Sequence, residues 1–104
     1  MAELYTRFDG VFFEKTRLSM LTLLFQEEAV SFNRLKKIIG GTDGAVYTHL
    51  EKLLKAGYVR KRREIAGTAA QTVYFLTAEG KREFRDYLKF LKAMLQGGMN
   101  EQRR

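Results

Sequence analysis

The sequence predicts a mainly α chain carrying one β-hairpin, an α+β fold. Apolar residues recur at three- and four-residue spacing in four segments, the mark of amphipathic helices. Between residues 58 and 76 that period gives way to β-branched and aromatic runs around a glycine, the mark of a hairpin. The chain has 104 residues, 45% apolar and 30% charged, which is one domain's length with enough apolar content for one packed core. It shows no internal repeat and no linker-like stretch.

The first helix is predicted over residues 11–28, where Leu18, Leu21 and Phe25 recur at helical spacing. Phe13, Met20 and Leu24 widen its apolar side, so it is expected to pack from more than one direction. Ahead of it, Leu4, Tyr5, Phe8, Val11 and Phe12 form a second apolar stripe that could start a helix of its own. Ser31 is a suitable N-cap for a second helix, Phe32–Ile39, which Gly40-Gly41 ends. Thr42 caps a third, Asp43–Ala56, with Val46, Leu50 and Leu53 as its buried stripe and Gly57 as its stop. Residues 58–65 and 71–76 are the hairpin arms, and residues 66–70 its loop. Thr77 caps a last helix through about Gln96, with a frayed tail over residues 97–104.

The second and third helices are separated by about three residues, a helix-turn-helix spacing. Three helices, a hairpin with a basic arm and a long final helix describe a winged helix-turn-helix with a long C-terminal dimerisation helix. The specific residues agree. Phe13-Glu14-Lys15-Thr16-Arg17-Leu18, Val30-Ser31-Phe32-Asn33-Arg34-Leu35-Lys36 and Thr42-Asp43-Gly44 are followed by His49-Leu50-Glu51-Lys52-Leu53-Leu54-Lys55-Ala56-Gly57-Tyr58-Val59, then by Leu76-Thr77-Ala78-Glu79-Gly80-Lys81. Over roughly residues 11–95 the chain resembles small single-domain winged-helix transcriptional regulators of the MarR and ArsR kind. The resemblance implies one DNA-binding domain over 1–104. Residues 1–10 would be an extension, 31–56 the helix-turn-helix, 58–76 the wing and 77–96 the C-terminal helix. Wing tips of this family are often basic and contain proline. This chain has no proline, and its tip reads Gly67-Thr68-Ala69-Ala70-Gln71.

Charge points the same way. Nineteen Lys and Arg stand against twelve Asp and Glu, a net +7. Residues 1–30 carry three basic and five acidic side chains, residues 31–71 nine and three, and residues 72–104 seven and four. The positive field is therefore centred on the helix-turn-helix and the wing, and suits a polyanionic partner. With no cysteine and a single histidine, thiol chemistry, disulfides and multi-histidine metal sites are excluded within one chain. No glycine-rich phosphate loop and no nucleophile–base pair is evident, so no catalytic residue, cofactor or metal is expected. The absence of a long apolar run and of a signal-like N-terminus predicts a cytoplasmic protein with no membrane partner.

With Val46, Leu50 and Leu53 inward, Asp43, Gly44, Tyr47 and Thr48 fall on or beside the exposed side of the third helix. Tyr47 and Thr48 could read base edges, and Gly44 would let the backbone approach. Asp43 would either accept from a cytosine amino group or sit in the helix-dipole field. The second helix would cross the DNA backbone. The candidate DNA contacts are Ser31, Asn33, Arg34 and Lys37 around the second helix, then Thr42, Asp43, Gly44, Tyr47, Thr48 and Lys52 on the third. Arg62 and Arg63, nearest the tip of the arm Arg60-Lys61-Arg62-Arg63, complete the set. His49, beside the core stripe, is read as a hydrogen-bonded structural residue.

The last helix outruns the core it could cover. Phe84, Tyr87, Leu88, Leu91, Met94 and Leu95, with Leu4, Phe8 and Phe12, are therefore the expected seam of a homodimer. The sequence leaves open whether a small-molecule effector exists, the dimer cleft being its natural place. The function expected is a sequence-specific regulator binding duplex DNA as a homodimer. The alternative is a winged helix serving as a protein–protein module in a larger assembly.

Overall fold

The computed structural model describes residues 10–102. Its elements are α1 (Lys15–Glu27), β1 (Ala29–Ser31), α2 (Phe32–Ile39), α3 (Asp43–Lys55), β2 (Val59–Ala66), β3 (Ala69–Leu76) and α4 (Ala78–Gln102). The strands form one antiparallel sheet in the order β1-β3-β2. This is the winged-helix arrangement expected from the sequence.

The first helix begins four residues later than expected. The Glu14 carboxylate accepts the Arg17 backbone N–H at 2.9 Å and caps α1. Residues 10–14 instead form a turn held by the Arg17 side chain, which donates to the carbonyls of Val11 at 2.6 Å and Gly10 at 3.2 Å. Freed from the helix, Phe12 turns inward and is fully buried. Ser31 and Thr42 cap α2 and α3 as expected, each accepting the N–H three residues on, at 3.1 Å. Gly40 and Gly41 have φ of +81° and +85°, conformations open to glycine and costly for other residues.

The core joins Met20, Leu21 and Leu24 of α1 to Leu35, to Val46, Leu50 and Leu53 of α3, and to Val59, Tyr74 and Leu76 of the sheet. Strand β1 was not expected. It is three residues long, too short for a period, and pairs Ala29 with Phe75 and Ser31 with Val73. The expected five-residue hairpin loop is tighter, since Ala66 pairs with Ala69 and only Gly67-Thr68 turn the chain, with Gly67 at φ +67°.

The two segments HLxxLxxAGYV and LTAEGK meet at one junction. Thr77 Oγ1 donates to the Gly57 carbonyl at 2.6 Å and accepts the Gly80 N–H at 2.9 Å, capping α4. The Thr77 N–H donates to the Tyr58 carbonyl at 3.0 Å. Helix α4 then runs through Gly97 to Gln102, beyond the end expected near Gln96.

Candidate nucleic-acid interface

Helix α3 turns Val46, Leu50 and Leu53 into the core and leaves Asp43, Gly44, Tyr47 and Thr48 exposed. The Tyr47 ring leans on Phe32 of α2, with centroids 5.4 Å apart, so its orientation is set while its face stays half open. Thr48 Oγ1 donates to the Gly44 carbonyl at 2.9 Å. In this rotamer the hydroxyl can only accept from outside, which suits a base amino group beside the threonine methyl. A Cβ on Gly44 would meet nothing within 4 Å, so the monomer's own packing does not require glycine there.

Beside Tyr47 opens a cleft lined by Ser31, Phe32, Asn33, Arg63, Thr72 and Tyr74, among others. It brings the start of α2, the exposed face of α3 and the wing together. Ser31 uses an oxygen lone pair for its cap, and its own hydrogen remains to donate outward. Thr42 is placed alike on α3. At the floor, burial pushes the Tyr74 phenol's pKa up, and neighbouring Tyr47 and Glu51 add to the effect.

Other expected contacts are placed differently. Asp43 pairs with Lys36 of α2 at 2.5 Å, so its charge is balanced across the helix-helix turn. Arg34 makes a two-pronged contact with Glu27 of α1, Nε to Oε1 at 2.7 Å and Nη2 to Oε2. That contact holds the Glu27 carboxyl below the usual carboxylate range. Lys37 is exposed on α2. Lys52 lies on the far flank of α3, over a shallow hollow lined by Gly10, Val11 and Arg17, and does not join the cleft.

The wing divides the two arginines that the sequence placed together. Register puts Lys61 opposite Tyr74 and Arg63 opposite Thr72 on the face toward α3, and Arg62 opposite Val73 on the other. Arg62 lies 4.9 Å over the Phe75 ring and donates to Glu64 at 2.9 and 2.6 Å. Arg63 makes only a long contact to Thr72 Oγ1, at 3.5 Å. Arg63 and Lys61 therefore share the face toward α3, and Arg62 stands on the opposite one.

Under α3 lies a polar anchor of which the sequence marks only His49. Buried Arg17 donates Nη1 to His49 Nδ1 at 3.0 Å, and Glu14 Oε1 stands 3.7 Å from the same nitrogen. Arginine only donates, so His49 accepts at Nδ1 and carries its hydrogen on Nε2. Burial pushes the Glu14 carboxyl up, but the backbone N–H groups of Arg17 and Thr16 and the Arg17 guanidinium together hold it below the usual range.

The expected dimer seam divides as well. Phe12 and Phe84 belong to the monomer core, where Phe12 meets Tyr58, Phe84 and Tyr87 at centroid distances of 5.7, 6.4 and 5.9 Å. Their burial by their own chain removes them from the seam. Tyr87 is half-buried against Phe12 and Phe13. Leu91 is half-buried, while Leu88, Met94 and Leu95 are 42%, 39% and 61% exposed. Leu4 and Phe8 lie outside the described residues.

A capped helix-turn-helix joined to a two-stranded basic wing defines a DNA-binding class of fold, and comparison with known proteins agrees. Residues 16–95 match the family described as a winged helix DNA-binding domain, and the chain belongs to that family. It is similar to an uncharacterised protein of Methanocaldococcus jannaschii, 31% identical over 78 residues, or 75% of this chain and 85% of that one. It is also similar to the uncharacterised HTH-type transcriptional regulator YdgJ of Bacillus subtilis, 32% identical over 94 residues, covering 86% of this chain and 57% of that one. Among solved structures, a transcriptional regulator homologue from Pyrococcus horikoshii superposes with a TM-score of 0.80 at 26% identity, over 93% of this chain and 97% of that one. Solved regulators of the MarR and ArsR kind share the fold. No helix among the described residues is long and apolar enough to cross a membrane.

Proposed function

We propose that this chain is a cytoplasmic, non-enzymatic transcriptional regulator that binds specific duplex DNA as a homodimer. The observation carrying the reading is the exposed row Gly44, Tyr47 and Thr48 on the first two turns of α3, standing beside Arg63 of the wing. Helix α3 enters the major groove by that row, and Tyr47 and Thr48 read base edges. The hydroxyls of Ser31 and Thr42, with Asn33, Lys37, Lys61 and Arg63, hold phosphates and set the register. Two copies joined along α4 present two such helices to successive major grooves.

Selection of bound sequences from a random duplex pool tests this. The expected product is an inverted repeat with half-sites about 10 base pairs, or a multiple of one turn, apart. Recovery of no enriched sequence would contradict specific reading, and a motif without symmetry would contradict the dimer.

A further inference from the structure

The tip of the wing differs in chemistry from the arm that carries it. Arg60-Lys61-Arg62-Arg63 lies directly below, yet residues 65–71 include no charged side chain. Ile65 is 80% exposed, the most exposed large apolar residue of the described chain. Threonine would satisfy the strand equally well without presenting aliphatic surface to water. Ile65 pairs with Ala70, on the same face as Arg63 and Lys61, and the turn beyond it is closed by Gly67-Thr68 alone. The tip is therefore narrow, two strands about 4.8 Å apart, and Ile65 is its one large apolar side chain. Nothing on it can hold a phosphate by charge.

Along the strand, Arg63 sits two residues below Ile65, about 7 Å away on the same face. That spacing lets Arg63 meet a phosphate on the groove wall while Ile65 reaches further in. The minor groove beside a docked recognition helix is about 6 Å wide, and its floor is apolar enough for aliphatic wedges where A·T pairs lack the guanine N2 amine.

We infer that Ile65 reads the minor groove flanking each half-site, favouring A·T over G·C pairs through an apolar contact that the guanine amine obstructs. The inference rests on the DNA-binding reading above and adds a second, sequence-discriminating contact to it.

Three duplexes carrying the selected site test it, differing only in the flank under the wing: A·T, G·C, and inosine·C. Inosine·C has the major-groove face of G·C but lacks the minor-groove amine. The parent protein should bind the A·T and inosine·C flanks alike and the G·C flank about tenfold more weakly, the scale of one partly buried aliphatic side chain. Ile65→Thr should lose that discrimination, binding all three like the parent on G·C. Ile65→Lys should also lose it, while its salt slope steepens by about one phosphate contact. Circular dichroism and light scattering on both variants should match the parent, because the side chain is exposed. Full discrimination retained by Ile65→Thr would overturn the inference and leave the DNA-binding reading intact. So would inosine·C behaving like G·C, or a change of oligomeric state in Ile65→Thr. A parent that binds none of the three duplexes would overturn both.

Discussion

Side chains of similar sequence character divide sharply once their contacts are set. Arg62 and Arg63 are neighbours of one type, but Arg62 is tied to Glu64 and Phe75, and Arg63 faces the cleft beside Tyr47. Arg63→Ala should weaken binding to all duplexes about equally and lower the salt slope by about one. Arg62→Ala should leave that slope nearly unchanged, and filter binding across a salt series separates the two. Tyr47→Ala should instead reduce preference for the selected site by about 1–3 kcal/mol with nonspecific binding retained, as competition against random duplex would show. Gly44 separates stability from function in one residue. A Cβ there meets nothing, and alanine is a better helix former by up to about 1 kcal/mol. Gly44→Ala should therefore melt at or above the parent temperature yet bind its site more weakly, because the added methyl stands between backbone and base pairs. Glu14 supplies the pH dependence. Its carboxyl is held below the usual range in the folded protein, so its contribution is present at neutral pH and is lost as pH falls through that lowered value. Stability of Glu14→Gln should fall less steeply on acidification than that of the parent, measured by urea melts at stepped pH. The sequence marked His49 as structural, but not its partner: Arg17 lies on a helix face whose neighbours only the tertiary fold supplies.

Elements were legible where periodicity and caps coincide, and obscure where a single tertiary contact decides. Helices α2 and α3 stand at the positions that Ser31, Thr42 and the glycines Gly40, Gly41 and Gly57 mark. The start of α1 did not, because residues 11–13 are apolar enough to extend the helix. The Arg17 side chain draws their carbonyls out of it. Strand β1 exists because β3 offers an edge to pair with, which no local pattern in residues 29–31 announces. The contact of α4 with the α3–β2 turn explains why the two long motifs accompany each other. A Cβ on Gly80 would come 2.2 Å from the Tyr58 carbonyl oxygen, a backbone atom that cannot swing aside. Gly80→Ala should cost about 1–3 kcal/mol or more, visible as a lowered chemical-denaturation midpoint, by forcing the α4 start off the sheet. A variant as stable as the parent would show that this junction is not close-packed.

The described chain is longer than its core. Its extents are 62 × 24 × 23 Å and its radius of gyration is 16.0 Å, against about 13 Å for a compact domain of this length. The excess lies in α4, about 37 Å long at 1.5 Å per residue, whose core contacts end near Phe90. Phe84, Leu88, Leu91 and Leu95 are spaced four, three and four residues apart. They form one apolar stripe that starts at the buried Phe84 and then runs off the core beside an apolar groove lined by Leu18, Phe25 and Tyr87. We expect a second copy to cover it. Leu95→Glu, beyond the core, should stay folded but become largely monomeric in light scattering, with sharply reduced affinity for the two-half-site duplex. A parent monomeric at tens of micromolar would rule the seam out. The +6 on residues 31–71 surrounds the face proposed to meet DNA. Titrating the parent with its selected duplex at stepped salt shows whether that face holds phosphates. The predicted result is log affinity falling linearly with log salt, with a slope of about −0.9 for each phosphate held. An affinity unchanged from low to moderate salt would contradict it.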